Sequence, residues 1–120
     1  MKYTAILVSL LAASCASAVD PPLPIPDGVY IFHHRFAEHP DMPSIDLTAK
    51  IKGRHVVLIN TGSSAAFPNG VIAQGTLMWH LQSKQWIIGQ APGDRSANEV
   101  GGCSDGPEVI DLANRVYWTC

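Results

Sequence analysis

The sequence predicts an all-β fold, a small single-domain antiparallel β-barrel or β-sandwich of about seven to eight strands stapled by one disulfide. Three observations carry this expectation. Short runs of alternating apolar and polar residues recur roughly every ten residues, with turn formers between them. No apolar stripe at helical spacing extends over roughly eleven residues, the shortest window in which an amphipathic helix declares itself. Finally, Cys103 and Cys120 form an even pair once the N-terminal segment is set aside.

That N-terminal segment, MKYTAILVSLLAASCASA (1–18), has the layout of a secretory signal peptide. Lys2 supplies the positive charge, Ile6 to Leu11 the apolar run, and Ala16-Ser17-Ala18 a small-residue exit. The run is too short to span a bilayer, which takes roughly 20 apolar residues, so no transmembrane segment is expected. Cleavage after Ala18 starts the mature chain at Val19. Leu-Ala-Ala-Ser-Cys (11–15) also resembles a bacterial lipobox, with Ala12 where the usual Leu stands, and the alternative is a lipid anchor at Cys15 on an outer-membrane lipoprotein. The expected location is therefore periplasmic or secreted, or anchored in the second case.

Residues 19–27, VDPPLPIPD, hold four of the nine prolines and read as an extended lead-in or tether. The folded domain is expected over 28–120. In GVYIFHHRF, Tyr30, Phe32, His34 and Phe36 share one face, with Val29, Ile31, His33 and Arg35 on the other. SIDLTAKIKG alternates most cleanly, with Ile45, Leu47, Ala49 and Ile51 on one side. Lys52-Gly53-Arg54 turns it into HVVLIN, a hairpin partner. GTLMWHL and QWIIG flank the polar turn Gln82-Ser83-Lys84. Pairing Leu81 with Trp86 would put Leu77, Trp79, Leu81, Trp86 and Ile88 on one face, with Met78, His80 and Ile87 on the other. EVIDL and RVYWTC form two last strands around Ala113-Asn114.

Charge excludes one class of function. Without Lys2, seven basic side chains face ten acidic ones, and only Lys50, Lys52 and Arg54 lie close together. A nucleic-acid binder needs a basic stripe to neutralise phosphates, and none is present. Cys103 and Cys120 then pair in an oxidising compartment, where the bridge is worth about 3 kcal/mol in the chain-entropy model.

Two stretches imitate catalytic motifs. Gly102-Cys103-Ser104-Asp105-Gly106 has the letter pattern of a serine hydrolase's nucleophile elbow, which requires a strand, a sharp turn and then a helix. Here Pro107 and a strand follow, and every histidine precedes Ser104, against the chain order of that triad. LINTGSSAAFP (58–68) resembles the active-site stretch of pepsin-like aspartic proteases, and WIIGQ (86–90) an Ile-Ile-Gly element of their single-lobe members. Asn60 stands at the catalytic aspartate's position, however, and an amide cannot share a proton with a second carboxylate. Both stretches read as turns made of good turn formers.

The histidines offer no metal spacing. His33 and His34 are adjacent on a strand and point to opposite faces, and His39 with either of them matches no ligand motif. No catalytic residue, cofactor or metal follows from the sequence.

What remains is a surface. Met78, His80 and Ile87 on one hairpin face, with His33 and Arg35 on the first strand, are the candidate binding residues for a protein partner. Met78, His80 and Ile87 should then be accessible, and Trp79 and Trp86 buried. The alternative is that the same face is covered by a second layer. The functional expectation is an exported, non-enzymatic β-domain of the inhibitor or assembly-factor type. The alternatives are a carrier of a small apolar ligand inside a barrel and, third, a small hydrolase or metal-dependent enzyme using His34, His39 or Asp41.

Overall fold

The computed structural model describes residues 20–120. The expected signal peptide, its expected cleavage site after Ala18 and Cys15 lie outside them. Seven strands follow one another: β1 Gly28–Phe36, β2 Asp46–Lys52, β3 His55–Asn60, β4 Gly70–His80, β5 Gln85–Gly89, β6 Glu108–Asp111 and β7 Val116–Thr119. A single 3₁₀ turn, Pro92–Ser96, interrupts the connection between β5 and β6.

Each strand pairs antiparallel with its successor, and the sheet closes on itself between β1 and β7. Seven is odd, so the first and last strands of this meander run the same way and the closing pair is parallel, from His33↔Val116 to Phe36↔Thr119. Hydrogen bonds from His33 N–H to the Arg115 carbonyl (2.8 Å) and from Ala37 N–H to the Thr119 carbonyl (2.7 Å) complete the seam. Closure removes the open edges through which a flat sheet would recruit other chains.

The inward faces follow the alternation in the sequence. Phe32, Leu47, Ala49, Ile51, Val56, Leu58, Leu77, Trp86, Ile88, Ile110, Leu112 and Tyr117 form one buried cluster. The hairpin turns obey local chemistry. Gly53 takes φ +58°, and the Asp111 carboxylate accepts from the Asn114 N–H (2.9 Å) in the last turn. The β4–β5 register differs from the expected one: Trp79, not Leu81, sits opposite Trp86. The parity is unchanged, so Leu77, Trp79, Trp86 and Ile88 keep their face, while Leu81 moves into the turn and is exposed. β4 also begins five residues before GTLMWHL, at Gly70, with a bulge opposite Leu58 and Ile59 that turns Ile72 toward the core.

The proline-rich lead-in is docked rather than free. Leu23 and Ile25 pack against the core, and the buried Asp20 carboxylate holds Arg95 through two hydrogen bonds (3.0 and 2.7 Å) and Arg54 at 3.4 Å. Its hydrogen bond to Arg95, with further help from Trp79 and Arg54, outweighs the cost of burial and holds its pKa below the ordinary value. The lead-in thereby ties the start of the domain to the long 90–107 connection. Cys103 and Cys120, with Cα atoms 4.6 Å apart, form the expected disulfide and pin that connection to the end of β7.

Candidate functional site

The 90–107 connection decides the fate of the expected binding face. It leaves β5 at Gly89 and runs back over the outside of β4 and β5. Asp94 accepts from the Gln90 and Ala91 N–H groups, which shapes the turn. The Leu81 N–H then donates to the Arg95 carbonyl (3.2 Å). His80 Nε2 reaches the Ala97 carbonyl at 2.7 Å, so that nitrogen is the donor, and Nδ1 accepts from the Ser83 N–H (3.2 Å). Beneath this cover Met78, Ile87 and Val109 form a second apolar cluster with Val100 and Trp118. A Cβ on Gly89 would lie 2.3 Å from the Met78 sulfur, so only glycine lets Met78 fill that space.

Met78, His80 and Ile87 are consequently 6%, 2% and 0% exposed. The expectation that they face solvent is corrected: a second layer, built by the chain itself, covers them. Trp86 is buried and Trp79 half-buried. His33 and Arg35 do lie on the outside of β1, both half-buried, and are not brought together with the other three. His33 Nδ1 sits 2.6 Å from an Asp46 oxygen, and Arg35 donates to the His34 carbonyl (2.8 Å).

The bare part of the sheet is elsewhere. The pairing register places two cross-strand rows on the outer face of β1–β4. One row is Val29, Lys50, Val57 and Gln74, and the next is Ile31, Thr48, Ile59 and Val71. Val29, Ile31 and Val71 are 67%, 53% and 55% exposed, while Val57 and Ile59 are half-buried between them. Lys52 and His55 border the first row, and His33 and Asp46 the second. Ile59 and Val71 face each other directly across β3 and β4, while Lys50 and Thr48 on β2 stand between Val57 and Ile59 and the β1 residues Val29 and Ile31. No layer of the chain's own lies over Val29, Ile31 or Val71. Single exposed aliphatics are ordinary, but several on one sheet face make this outer face the candidate site. Val29 and Ile31 were legible from the sequence as the second face of their strand. The apolar residues at both parities of HVVLIN signalled Val57 and Ile59, whereas Val71 depends on the early start of β4.

The polar residues inside the molecule act as struts. His34 is fully buried, with Nδ1 2.6 Å from Ser44 Oγ and Nε2 2.7 Å from Thr119 Oγ1. Its ring packs edge-on against Phe36 and Phe67 (4.6 Å each). It therefore joins β1 to the 37–45 connection, the 61–69 connection and β7. Burial, with the neighbouring Arg35 charge adding to it, pushes its pKa below the ordinary value and keeps it neutral. A serine–histidine contact is one ingredient of nucleophilic catalysis, but this imidazole is sealed from solvent and its far nitrogen meets a hydroxyl.

Asn60, at the protease-like position, is also buried. Its amide donates to the Phe67 and Pro68 carbonyls (3.1 and 3.2 Å) and accepts from the Gly62 N–H (3.1 Å), which closes the 61–69 connection. Ser104 donates to the Gly101 carbonyl (2.7 Å) and accepts from the Gly106 N–H (3.3 Å), in a turn where Gly101 and Gly102 take φ +64° and +57°. Tyr117 donates to Glu108, and burial above all raises its pKa. Among the described residues no buried side-chain nitrogen or oxygen lacks a partner. Nor do three His, Cys, Asp or Glu side chains gather there as a metal site would require. No helix among them is long and apolar enough to cross a membrane. Compared with known proteins, the chain matches no protein-family model, no curated protein and no solved structure.

Proposed function

We propose that this chain is an exported, non-enzymatic binding domain, periplasmic or secreted, that presents the outer face of β1–β4 to a protein partner. The observation that carries this reading is the pair of rows in which Val29, Ile31 and Val71 are exposed, with Val57 and Ile59 half-buried among them, whereas the outward Met78 and Ile87 of β4 and β5 are covered. The disulfide fits an oxidising compartment. Lys50 within the first row, with Lys52 and His55 beside it, suits a partner whose apolar contact carries carboxylates, although the chain as a whole is acidic. Phe32, Leu58, Leu77 and Tyr117 meet in the interior, which favours binding outside the sheet over carriage of an apolar ligand within it.

Site-specific photo-crosslinking in the producing cell tests the assignment. A photoreactive residue at Ile31 or Val71 should give one discrete adduct, whose mass spectrum names the partner. The same probe at Leu81, exposed but off the rows, should give none, and Lys50→Glu should diminish the adduct. Equal labelling from all three positions, or none from any, overturns the proposal.

A further inference from the structure

One stretch of the closed sheet is not zipped. β5 and β6 pair only at Ile87↔Val109 and Ile88↔Glu108. The same register would set Trp86 opposite Ile110 and Gln85 opposite Asp111, but the strands part there. Neither strand is frayed: β5 stays paired to β4 through His80↔Gln85, and β6 to β7 through Asp111↔Val116. The gap is therefore a seam opened between two well-held hairpins.

The seam holds a cavity of about 240 Å³. All three tryptophans of the chain, Trp79, Trp86 and Trp118, line it, together with Lys84, Gln85 and Asp111. Trp79 and Trp86 make an edge-on corner, with ring centres 5.3 Å apart and planes at 71°. That corner is set in advance, because the Arg54 guanidinium lies 5.9 Å from the Trp86 ring and is itself held by Asp20. The Asp111 carboxylate is likewise oriented, one oxygen bonded to the Asn114 N–H and the other to its amide (2.9 Å each). Each oxygen retains capacity to accept from a ligand. A second cavity of about 200 Å³ adjoins the first and shares Gln85, Val109 and Trp118 with it.

We infer that this seam is a saccharide-binding cleft, taking one pyranose ring against the half-buried Trp79, which Trp86 backs from the core, and a second along Trp118. A pyranose has apolar C–H faces and hydroxyl edges. Indole rings supply the apolar walls, and a carboxylate, an amide and an ammonium supply acceptors and donors for the hydroxyls. The lining also argues against other small ligands. A cation would meet Lys84 and an anion would meet Asp111, whereas a neutral polyhydroxyl ring uses both. The larger cavity is smaller than the roughly 300–1,000 Å³ of drug-sized pockets, which suits a single ring. This cleft shares no residue with the Val29–Val71 rows, so the two proposals stand or fall separately.

The test uses the mature chain with its disulfide intact and four probes: glucose, N-acetylglucosamine, cellobiose and chitobiose. Tryptophan fluorescence and saturation-transfer NMR should show saturable binding of at least one disaccharide, with a Kd on the order of 1 mM or tighter. Its monosaccharide should bind several-fold more weakly. Trp118→Ala should weaken binding at least tenfold. Because Trp118 also packs on Val109, Gln85→Ala at an exposed position serves as the second variant and should weaken it several-fold. The inference is overturned if none of the four saturates by about 20 mM, a range that spans any Kd near 1 mM. It is equally overturned if both variants bind as the wild type does. Binding of an extended Thr-Val-Thr-Val peptide in place of all four sugars would also overturn it, because the seam would then be receiving a strand.

Discussion

The two outward sides of this closed sheet differ less in composition than in what lies over them. On β4–β5, Met78 and Ile87 point outward and are covered by the 90–107 connection. On β1–β4, Val29, Ile31, Val57, Ile59 and Val71 point outward as well, yet Val29, Ile31 and Val71 remain open. The connections account for the difference. β5 and β6 are joined by a chain long enough to return across the sheet, whereas β2 and β3 are joined by a turn at Gly53-Arg54. Breaks in apolar–polar alternation therefore mark a strand that is apolar on both faces. They do not say whether the chain's own connection will cover the outer face or leave it open.

Paired truncations on the two sides give the largest contrast. Met78→Ala with Ile87→Ala should lower the free energy of unfolding by about 4 kcal/mol or more, since each truncation of a buried side chain costs about 2–5 kcal/mol. The urea midpoint should fall accordingly, and an unchanged midpoint would mean that the cover is not packed. The next effect comes from the bridge that ties the cover down. Cys120→Ser should cost about 3 kcal/mol. At about 4–8 °C per kcal/mol, that lowers the thermal midpoint by about 10 °C or more. Two free thiols in a non-reducing peptide map would remove the basis of this expectation.

Asp20→Asn weakens the cover from its other end. It exchanges a charge-assisted pair with Arg95 for a neutral contact, and should cost about 1–3 kcal/mol by chemical denaturation. Acid reveals two of the polar struts in succession. His34 has its folded pKa below the ordinary 6.5, so the unfolded chain binds the extra proton first and stability falls as the pH drops below 6.5. Asp20 has its folded pKa below 3.8, so its contribution persists above that value and is lost as the pH falls through the lower folded one. Urea midpoints from pH 7 to pH 5 should decline less steeply in His34→Gln than in the wild type. An identical decline would exclude His34 as the source.

The smallest effect sharpens the comparison most. Val29→Ala with Ile31→Ala should move stability by no more than about 1 kcal/mol, the scale of two surface changes. The same pair should diminish crosslinking from Val71. A fall as large as that for Met78 and Ile87 would show that the rows are packed rather than presented.

Much of the fold was legible in the residues themselves. Alternation in SIDLTAKIKG and HVVLIN gives strand faces directly, because successive side chains point to opposite sides whatever the neighbours are. Gly53, and Ala113 with Asn114, mark turns by local chemistry. Cys103 and Cys120 pair because no other cysteine follows the N-terminal segment, and Asn60 separates its stretch from the protease chemistry it imitates. The candidate face was legible only in part: Val29, Ile31, His33 and Arg35 were placed on their correct side, whereas Met78, His80 and Ile87 were assigned to an exposure they do not have. That error has a physical origin. Residues 90–107 carry no periodicity, and their path depends on contacts with distant residues: Ala97 with His80, Arg95 with Asp20, and Cys103 with Cys120. The sequence alone determined most of the strands, their inward faces and the bridge, since each depends on neighbours along the chain or on simple pairing, but not the β4–β5 register or the early start of β4. Which outward face is covered, and where the sheet opens around the tryptophans, was decided only by the tertiary structure, because burial and closure depend on which distant segments meet.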